Sequence, residues 1–254
     1  MQKLIFVAVC FLISLGFLQP LQAKTLFHDD FSDGENWEDD WYHLGSDGGE
    51  MLQTDGNLEI VGGALAGNKQ TSAIVKEQFD FSGGVTFQGV ITSAGPDEVQ
   101  FWVANEDGKG QAEDDPWFTS NWIRVMLHND SVYIQRANPD GTGMAGEGAV
   151  PMTVGEPYKI SVYMTPDEYT VYVNGEEIIS GEHAQNYTEG YLIFAVWTTG
   201  AAINENYKID DVFVYEGDYD PNPSTPVEDA GKLTTTWGCI KAQNWADALP
   251  KVHL

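Results

Sequence analysis

Apolar and polar residues alternate along most of the chain between Thr25 and Tyr215, and no segment there sustains a helical period. Successive side chains of an extended strand point to opposite faces, so this alternation predicts strands that bury one face. Turns rich in glycine, aspartate and asparagine separate the strands, which are predicted at residues 56–61, 72–79, 85–92, 98–104, 122–128, 131–137, 158–164, 168–173, 191–196 and 207–215. Strands at this spacing predict an all-β, two-sheet antiparallel jelly-roll sandwich.

Two short polar segments predict β-hairpins. Asn129 and Asp130 lie between two predicted strands, and Asn174 and Gly175 follow the strand at 168–173. Two-residue hairpin turns need a left-handed backbone, which asparagine and glycine adopt readily, so Asn-Gly is the stronger of the two signals. We therefore expect each of these turns to join two antiparallel strands.

Residues 1–23 have the three-part layout of a secretory signal peptide. A single basic residue, Lys3, precedes an apolar run at 4–18, and the segment ends at Ala23. The run is shorter than the roughly 20 apolar residues that a helix needs to cross a membrane. We expect cleavage after Ala23 and a secreted product, extracellular or periplasmic, as for an exported bacterial protein, with no membrane insertion afterwards.

The sequence after the last predicted strand is rich in prolines and acids, which do not continue a sheet. A domain at 24–216 is therefore predicted to be followed by a linker at 217–231 and a tail at 232–254. Within the tail, residues 232–249 predict a short helix with an irregular apolar stripe, which would need a protein partner or another surface to dock on. Cys239 is the only cysteine after the signal segment, so no internal disulfide is expected.

The chain is strongly acidic, with 39 Asp and Glu against 12 Lys and Arg and a formal net charge of −27. A negative surface repels nucleic-acid phosphates and anionic lipid headgroups, which need clusters of Lys and Arg to bind. Nucleic acid is therefore excluded as a partner. Solubility explains the charge better than a specific role in binding cations.

Several short motifs bracket the predicted domain. They are Phe27-His-Asp-Asp-Phe-Ser-Asp-Gly-Glu-Asn-Trp37, Leu52-x-x-Asp-Gly-Asn-Leu-Glu-Ile60, Tyr169-Thr-Val-Tyr-Val-Asn-Gly175 and Tyr207-Lys-Ile-Asp-Asp-Val-Phe-Val-Tyr215. Together they resemble the concanavalin A-like superfamily, which includes laminin G-like domains, family 16 glycoside hydrolases and sugar-binding modules. The resemblance implies a jelly roll whose first and last strands lie side by side, and it supports the fold better than any one function.

The last predicted strand carries two adjacent aspartates. Strict alternation places Asp211 on one face with Ile209, Phe213 and Tyr215, and Asp210 on the other with Val212 and Val214. A buried carboxylate needs a partner. The resemblance implies that Asp210 binds a structural calcium ion together with the N-terminal segment, where Asp30 is the weaker candidate. The alternative is that the two aspartates cap backbone amides or face solvent. No organic cofactor is expected.

Catalytic signatures are sparse. Retaining glycosidases need two carboxyl groups about 5–5.5 Å apart, which acids at alternate positions of one strand could provide. The family 16 pattern of Glu-x-Asp followed after one or two residues by Glu does not occur, and Glu98 has no second acid two positions away. The sequence therefore favours a protein without catalysis. An enzyme of the same fold that uses Glu98, Glu106 or Asp115 with Arg124 is the alternative.

A set of aromatic and polar residues shares one predicted face of neighbouring strands, opposite an apolar face. Flat rings can stack on sugars, while Arg, Gln and His supply directional hydrogen bonds. This pattern predicts a lectin-like glycan-binding module with an open groove centred on Trp102, Trp122, Arg124 and Tyr133. The alternative is that the aromatics form a second small core of a purely structural domain. The full set of predicted ligand-binding residues is Gln100, Trp102, Trp122, Arg124, His128, Tyr133 and Trp197.

Overall fold

Sixteen strands and one short 3-10 turn, at Trp37–Asp39, make up the part of the chain that the computed structural model describes. The described residues are 23–32, 37–45, 49–54, 56–61, 69–93, 98–105, 122–128, 131–136, 147–183, 187–198 and 206–223. The predicted signal peptide lies almost wholly outside these residues, and the predicted C-terminal helix and Cys239 lie entirely outside them. None of the described residues belongs to a helix long and apolar enough to cross a membrane.

The strands are numbered in chain order. Their bounds are β1 Thr25–Asp29, β2 Trp41–Gly45, β3 Glu50–Thr54, β4 Asn57–Val61, β5 Lys69–Val75, β6 Phe79–Asp80, β7 Val85–Thr92, β8 Glu98–Ala104, β9 Trp122–His128, β10 Ser131–Arg136, β11 Glu147–Pro151, β12 Pro157–Met164, β13 Glu168–Val173, β14 Glu176–Glu182, β15 Glu189–Thr198 and β16 Asn206–Glu216.

Two antiparallel sheets form a sandwich. The first has the order β14-β13-β12-β7-β16-β4-β3, with β1 also paired to β16, and the second has the order β11-β10-β9-β8-β15-β5-β2, with β6 paired to β15. The first and last strands lie side by side, with Thr25 opposite Tyr215 and Asp29 opposite Val212. The all-β, two-sheet antiparallel prediction is therefore confirmed.

The two sheets bury their facing sides against each other in one large apolar cluster. On β8 and β9 the residues that enter this cluster alternate with residues that point away from it, as the period of two requires. Every second residue of these strands therefore lies on the outer face of the second sheet. The inward-facing residues of β8 and β9 are Val99, Phe101, Val103, Ile123, Val125 and Leu127.

Most of the predicted strands agree with the observed ones, and both predicted hairpins are present. At the second hairpin, Asn174 and Gly175 have φ values of 50° and 86°, the left-handed conformation expected for the turn. At the first, His128 pairs with Ser131. The single strand predicted at 72–79 is wrong, because β5 ends at Val75 and β6 begins at Phe79. Three consecutive exposed polar residues separate them, so the alternation is interrupted there.

The strict alternation predicted for β16 is also wrong. Asp211 has a φ of 54°, and the pairing of β16 with β7 shifts register between Asp210 and Phe213. Such a bulge adds one residue and reverses the phase of the side chains beyond it. Ile209 therefore lies in the core with Val212 rather than on the face of Phe213. Asp210 is half-buried and Asp211 is exposed.

The compact unit that contains the sandwich extends to Pro223, beyond the predicted domain end at residue 216. The residues after β16 pack on the first sheet. The Thr86 hydroxyl donates a hydrogen bond to the Gly217 carbonyl at 2.8 Å, and the Tyr219 ring stacks on Tyr172 at 4.5 Å. The beginning of the predicted linker thus contacts the domain, while residues 224–231 lie outside the described residues.

Candidate functional site

The outer face of the second sheet brings together side chains from four strands, β8, β9, β10 and β15. Strand pairing places Trp102 of β8 opposite Arg124 of β9, and Arg124 opposite Gln135 of β10. On the other side of β8, Glu98 is paired with Trp197 of β15. The residues predicted to share a face therefore do share one, because neighbouring antiparallel strands align residues of equal orientation.

One half of this set is enclosed by protein. Gln100, Trp102, Trp122 and Arg124 are all buried. Along β8, the side-chain amide of Gln100 donates a hydrogen bond to the Glu98 carboxylate, and the Trp102 indole N–H donates to Gln100 Oε1 at 2.6 Å. Since each side chain lies two residues from the next, the period of a strand itself builds this ladder.

Arg124 is the charged centre of the enclosed half, and only 2% of its side chain is exposed. Its guanidinium carbon lies 4.7 Å from the ring centre of Trp102 and 5.3 Å from that of Trp122, within the range of cation–π attraction. Arg124 also donates a hydrogen bond to Gln135 Oε1. Burial lowers the pKa of Arg124 to about 10 and the Glu98 carboxylate opposes that shift, so the guanidinium stays charged at neutral pH.

The other half of the set is partly accessible. Tyr133 is 38% exposed, Trp197 and His128 are half-buried, and the Glu98 side chain retains 21% of its accessible surface. Val99 pairs with Leu127, so His128 is the β9 neighbour of Glu98 on the outer face. Glu98 therefore lies between Trp197 and His128, at one end of the face. Among the described residues, the buried Nδ1 atom of His128 has no hydrogen-bond partner.

Trp102 and Trp122 belong to a second, smaller apolar cluster on this outer face, together with residues of β5 and β15. Their rings lie 5.2 Å apart. This arrangement matches the alternative prediction of a second small core for these two residues. The open groove was predicted around four residues, of which the structure buries Trp102, Trp122 and Arg124 and exposes Tyr133. The accessible side chains of this face are Tyr133, which is exposed, and Glu98, His128 and Trp197, which are partly exposed.

Acidic residues are scarce in the three neighbouring strands β8, β9 and β10. Strands β8, β9 and β10 together contain one acid, Glu98. Glu106 and Asp115, the other acids considered for catalysis, lie outside the described residues. These three strands therefore lack the pair of carboxylates that glycoside hydrolysis requires. Sequence reasoning placed Glu98 among the catalytic candidates and did not foresee that it ends a hydrogen-bonded ladder, although the acid, amide and indole at alternate positions of β8 are visible in the sequence.

Asp30 and Asp210, the predicted metal ligands, lie close enough for their charges to interact. Burial raises the pKa of Asp210 above its usual value, and the charges of Asp211 and Asp30 raise it further, although a hydrogen bond from the Asp211 backbone opposes them. Asp30 has a lowered pKa, chiefly because the Ser32 hydroxyl donates to its Oδ1 at 2.7 Å.

These two carboxylates fit a hard cation only in part. Within the described residues, no three His, Cys, Asp or Glu side chains form a group that could hold a metal ion. A calcium ion bound by Asp30 and Asp210 would therefore need further oxygens from backbone carbonyls or water, both of which calcium accepts. The hydrogen bond from the Asp211 backbone is the capping role that the sequence left open as the alternative.

The two-sheet sandwich, together with β1 beside β16, is a jelly roll similar in fold to solved structures, among them a Bacillus subtilis protein described as having a galectin-like fold (TM-score 0.56, 14% identity, over 77% of this chain and 97% of that one). No protein-family model matches the sequence, and no curated protein sequence matches it either. Solved structures match the fold at low identity.

Three solved structures illustrate the match. The endo-β-1,3-glucanase from Pyrococcus furiosus has a TM-score of 0.59 at 12% identity, over 78% of this chain and 96% of that one. The carbohydrate recognition domain of Emp47p has a TM-score of 0.58 at 14% identity, over 79% of this chain and 99% of that one. The potassium-bound carbohydrate recognition domain of Emp46p has a TM-score of 0.54 at 10% identity, over 75% of this chain and 96% of that one. At such identities the similarity establishes the fold alone.

Proposed function

We propose that this chain is an exported, lectin-like module that binds carbohydrate and does not cleave it. The observation that carries the proposal is the partly accessible group on the outer face of the second sheet: Glu98, His128, Tyr133 and Trp197. The indole and phenol rings provide flat apolar surface for a sugar ring, and the carboxylate and imidazole provide hydrogen-bonding groups for hydroxyls.

The buried side chains of the outer face support this role because they hold the accessible Glu98 side chain in place. Gln100 holds the Glu98 carboxylate and is itself held by Trp102, while Arg124 lies 3.9 Å from Glu98 Oε1. Binding groups that are already immobile lose little conformational entropy when a ligand binds. The fold also favours a sugar ligand, since the solved structures of this fold include proteins described as carbohydrate recognition domains and glucanases.

Hydrolysis of a glycan is the second candidate function. It is favoured by one observation, the partly exposed carboxylate of Glu98 beside a cationic arginine. It is opposed by the lack of a second acid on β8, β9 and β10. A single carboxylate cannot act both as the acid and as the nucleophile or base of a glycosidase. Binding without cleavage is therefore the better proposal.

We propose export and the choice of partner on the basis of the sequence. The signal-like segment at 1–23 and the net charge of −27 support a secreted glycan-binding protein that contacts neither nucleic acid nor anionic membranes.

We also propose a structural calcium ion at Asp30 and Asp210, supported by the proximity of these two carboxylates. It would join the N-terminal segment to β16.

A glycan array tests the proposed function. The wild type is compared with Trp197→Ala and with Tyr219→Ala, which removes a half-buried aromatic ring from the outer face of the first sheet. We expect Trp197→Ala to lose roughly 5- to 150-fold in affinity, which corresponds to the contribution of about 1–3 kcal/mol that a flat ring stacked on an aromatic side chain makes for nucleic-acid bases. Tyr219→Ala should bind as the wild type does.

A reducing-sugar assay on every bound glycan separates binding from cleavage. We expect no release of reducing ends above the background of a blank incubation. Turnover by the wild type that Glu98→Gln abolishes would establish the hydrolase instead. Equal binding by Trp197→Ala and the wild type would show that the sugar lies elsewhere on the domain.

A further inference from the structure

We infer that Glu98 is the main hydrogen-bond acceptor for the ligand and that the site selects a neutral sugar over an acidic one. This inference rests on the proposed function and deepens it, because it names the chemical class of the sugar and assigns its recognition to a residue outside the predicted ligand-binding set. Gln100 and Arg124, which were predicted to touch the ligand, become positioning residues.

The position of Glu98 places a partly exposed carboxylate beside an aromatic side chain. It is the first residue of β8, and strand pairing places it opposite Trp197. Paired residues on one face of an antiparallel sheet have Cβ atoms about 5 Å apart. A sugar ring lying on the indole of Trp197 would therefore have its hydroxyl-bearing edge within reach of the Glu98 carboxylate.

The two oxygens of Glu98 have different surroundings. Both described partners engage Oε1: the side-chain amide of Gln100 donates to it, and Arg124 Nη1 lies 3.9 Å away. An ionised carboxylate has about four lone-pair sites on two oxygens. With Oε1 held by buried groups, Oε2 is the atom that can accept hydrogen bonds from a ligand.

The buried side chains also determine which charge a ligand can contact. Arg124 keeps its positive charge and lies 3.9 Å from Glu98 Oε1. However, the guanidinium is enclosed and lies beside Trp102 and Trp122, so it cannot present its donors to a ligand acid. The ligand thus meets a negative oxygen rather than a positive group.

The charges outside this hydrogen-bonded network also disfavour an acidic sugar. Arg136 is the one other arginine or lysine of β8, β9 and β10, and its Nη1 atom donates to the Glu182 carbonyl at 2.9 Å. The chain as a whole carries a net charge of −27. A uronic acid or sulfated sugar would be repelled by both the local and the overall charge, whereas neutral sugar hydroxyls donate charge-assisted hydrogen bonds to a carboxylate.

The experiment measures affinity by titration calorimetry against two panels of soluble polysaccharides. The neutral panel is laminarin, starch and galactomannan, and the acidic panel is alginate and polygalacturonate. The variants are Glu98→Gln, Glu98→Asp and the matched control Glu59→Gln. Glu59 is also a carboxylate in an ion pair, 3.3 Å from Lys208, but it lies on the first sheet.

We expect the wild type to bind a member of the neutral panel and neither acidic polymer, at low salt and at 0.15 M salt alike. Glu98→Gln should weaken that binding by about 10- to 100-fold, the effect of losing hydrogen bonds to a charged group. Glu98→Asp keeps the charge but shortens the side chain and should give an intermediate loss. Glu59→Gln should bind as the wild type does, and near-UV circular dichroism checks that each variant is folded.

The outcomes distinguish failure of the proposed function from failure of the inference about Glu98. If the wild type binds no polysaccharide of either panel and no glycan on an array, the proposed function fails and this inference with it. If the wild type binds a neutral glycan and both Glu98 variants bind it equally well, the inference fails while the proposed function stands. Preference for an acidic polymer would overturn the assignment of the sugar class.

Discussion

At the scale of single residues, the most informative contact joins the two sheets. Trp41 on β2 is fully buried, and its indole N–H donates a hydrogen bond to Asp29 Oδ2 on β1 at 2.7 Å. The other oxygen of Asp29 accepts from the Phe31 backbone at 2.8 Å. One carboxylate thus satisfies a buried donor of the second sheet and shapes the turn that follows the first strand.

Replacement of Asp29 tests the importance of this contact. We expect Asp29→Ala to lower the free energy of unfolding by about 1.5–3 kcal/mol, because a buried indole N–H loses a charged acceptor. Asp29→Asn retains an acceptor oxygen and should cost less. Chemical denaturation gives both values.

The matched control for Asp29 is Asp80→Ala. Asp80 accepts a backbone hydrogen bond from Ser82 in an exposed turn of the same kind, at 2.8 Å. The free energy of unfolding of Asp80→Ala should remain close to that of the wild type, since water can replace the lost acceptor in this exposed turn. Equal losses for Asp29→Ala and Asp80→Ala would mean that only the turn matters and that the Trp41 contact contributes nothing.

At the scale of strands, the distance between the sheets depends on small residues at close approaches. Gly89 is in β7, and a Cβ atom added there would lie 2.9 Å from Cζ of Phe194 on β15, across the core. Phe194 cannot easily move, because its ring packs on Phe101 and Trp41 at centroid distances of 5.2 and 5.9 Å. The aromatic core therefore needs glycine at position 89.

We expect Gly89→Ala to destabilise the domain by about 1–3 kcal/mol, the usual cost of overpacking a core. The control is Gly83→Ala, at a position where a Cβ atom would meet nothing within 4 Å. Thermal and urea unfolding of the two variants give the comparison. If Gly89→Ala proves as stable as Gly83→Ala, the two sheets can separate at no cost and the close approach is not a constraint.

At the scale of the whole molecule, the pairing of β1 with β16 brings together the two ends of the domain. The proposed calcium ion would bind at this point, because Asp30 follows β1 and Asp210 lies just before the bulge of β16. An ion that binds only the folded state raises its stability by mass action. Calcium should therefore stabilise the entire sandwich against unfolding rather than order one loop alone.

We expect millimolar calcium to raise the melting temperature and a chelator to lower it, with Asp210→Asn losing most of the response. Magnesium at equal ionic strength is the control, since any divalent cation screens a chain with a net charge of −27. Equal shifts by calcium and magnesium, or a full calcium response in Asp210→Asn, would contradict the site.

The sequence predicts the strands well because the alternation of side chains is a local property of an extended backbone. The bounds of β7, β8, β9 and β13 follow from it, and so does the turn at Asn174 and Gly175. Alternation also predicts that Trp102, Arg124 and Tyr133 share a face, since pairing preserves side-chain orientation from strand to strand. The single acid on β8 to β10 is likewise a property of the sequence alone.

Other features depend on contacts between distant parts of the chain, so only the tertiary structure decides them. The bulge at Asp211 reverses the phase of β16, because the register of a strand is set by its neighbours. Exposure is decided in the same way: Trp102 and Trp197 look alike in sequence, yet one is buried and the other is half-buried. Of the residues predicted to bind a ligand, the tertiary structure therefore buries Trp102, Trp122 and Arg124 and leaves Tyr133 and Trp197 with accessible surface.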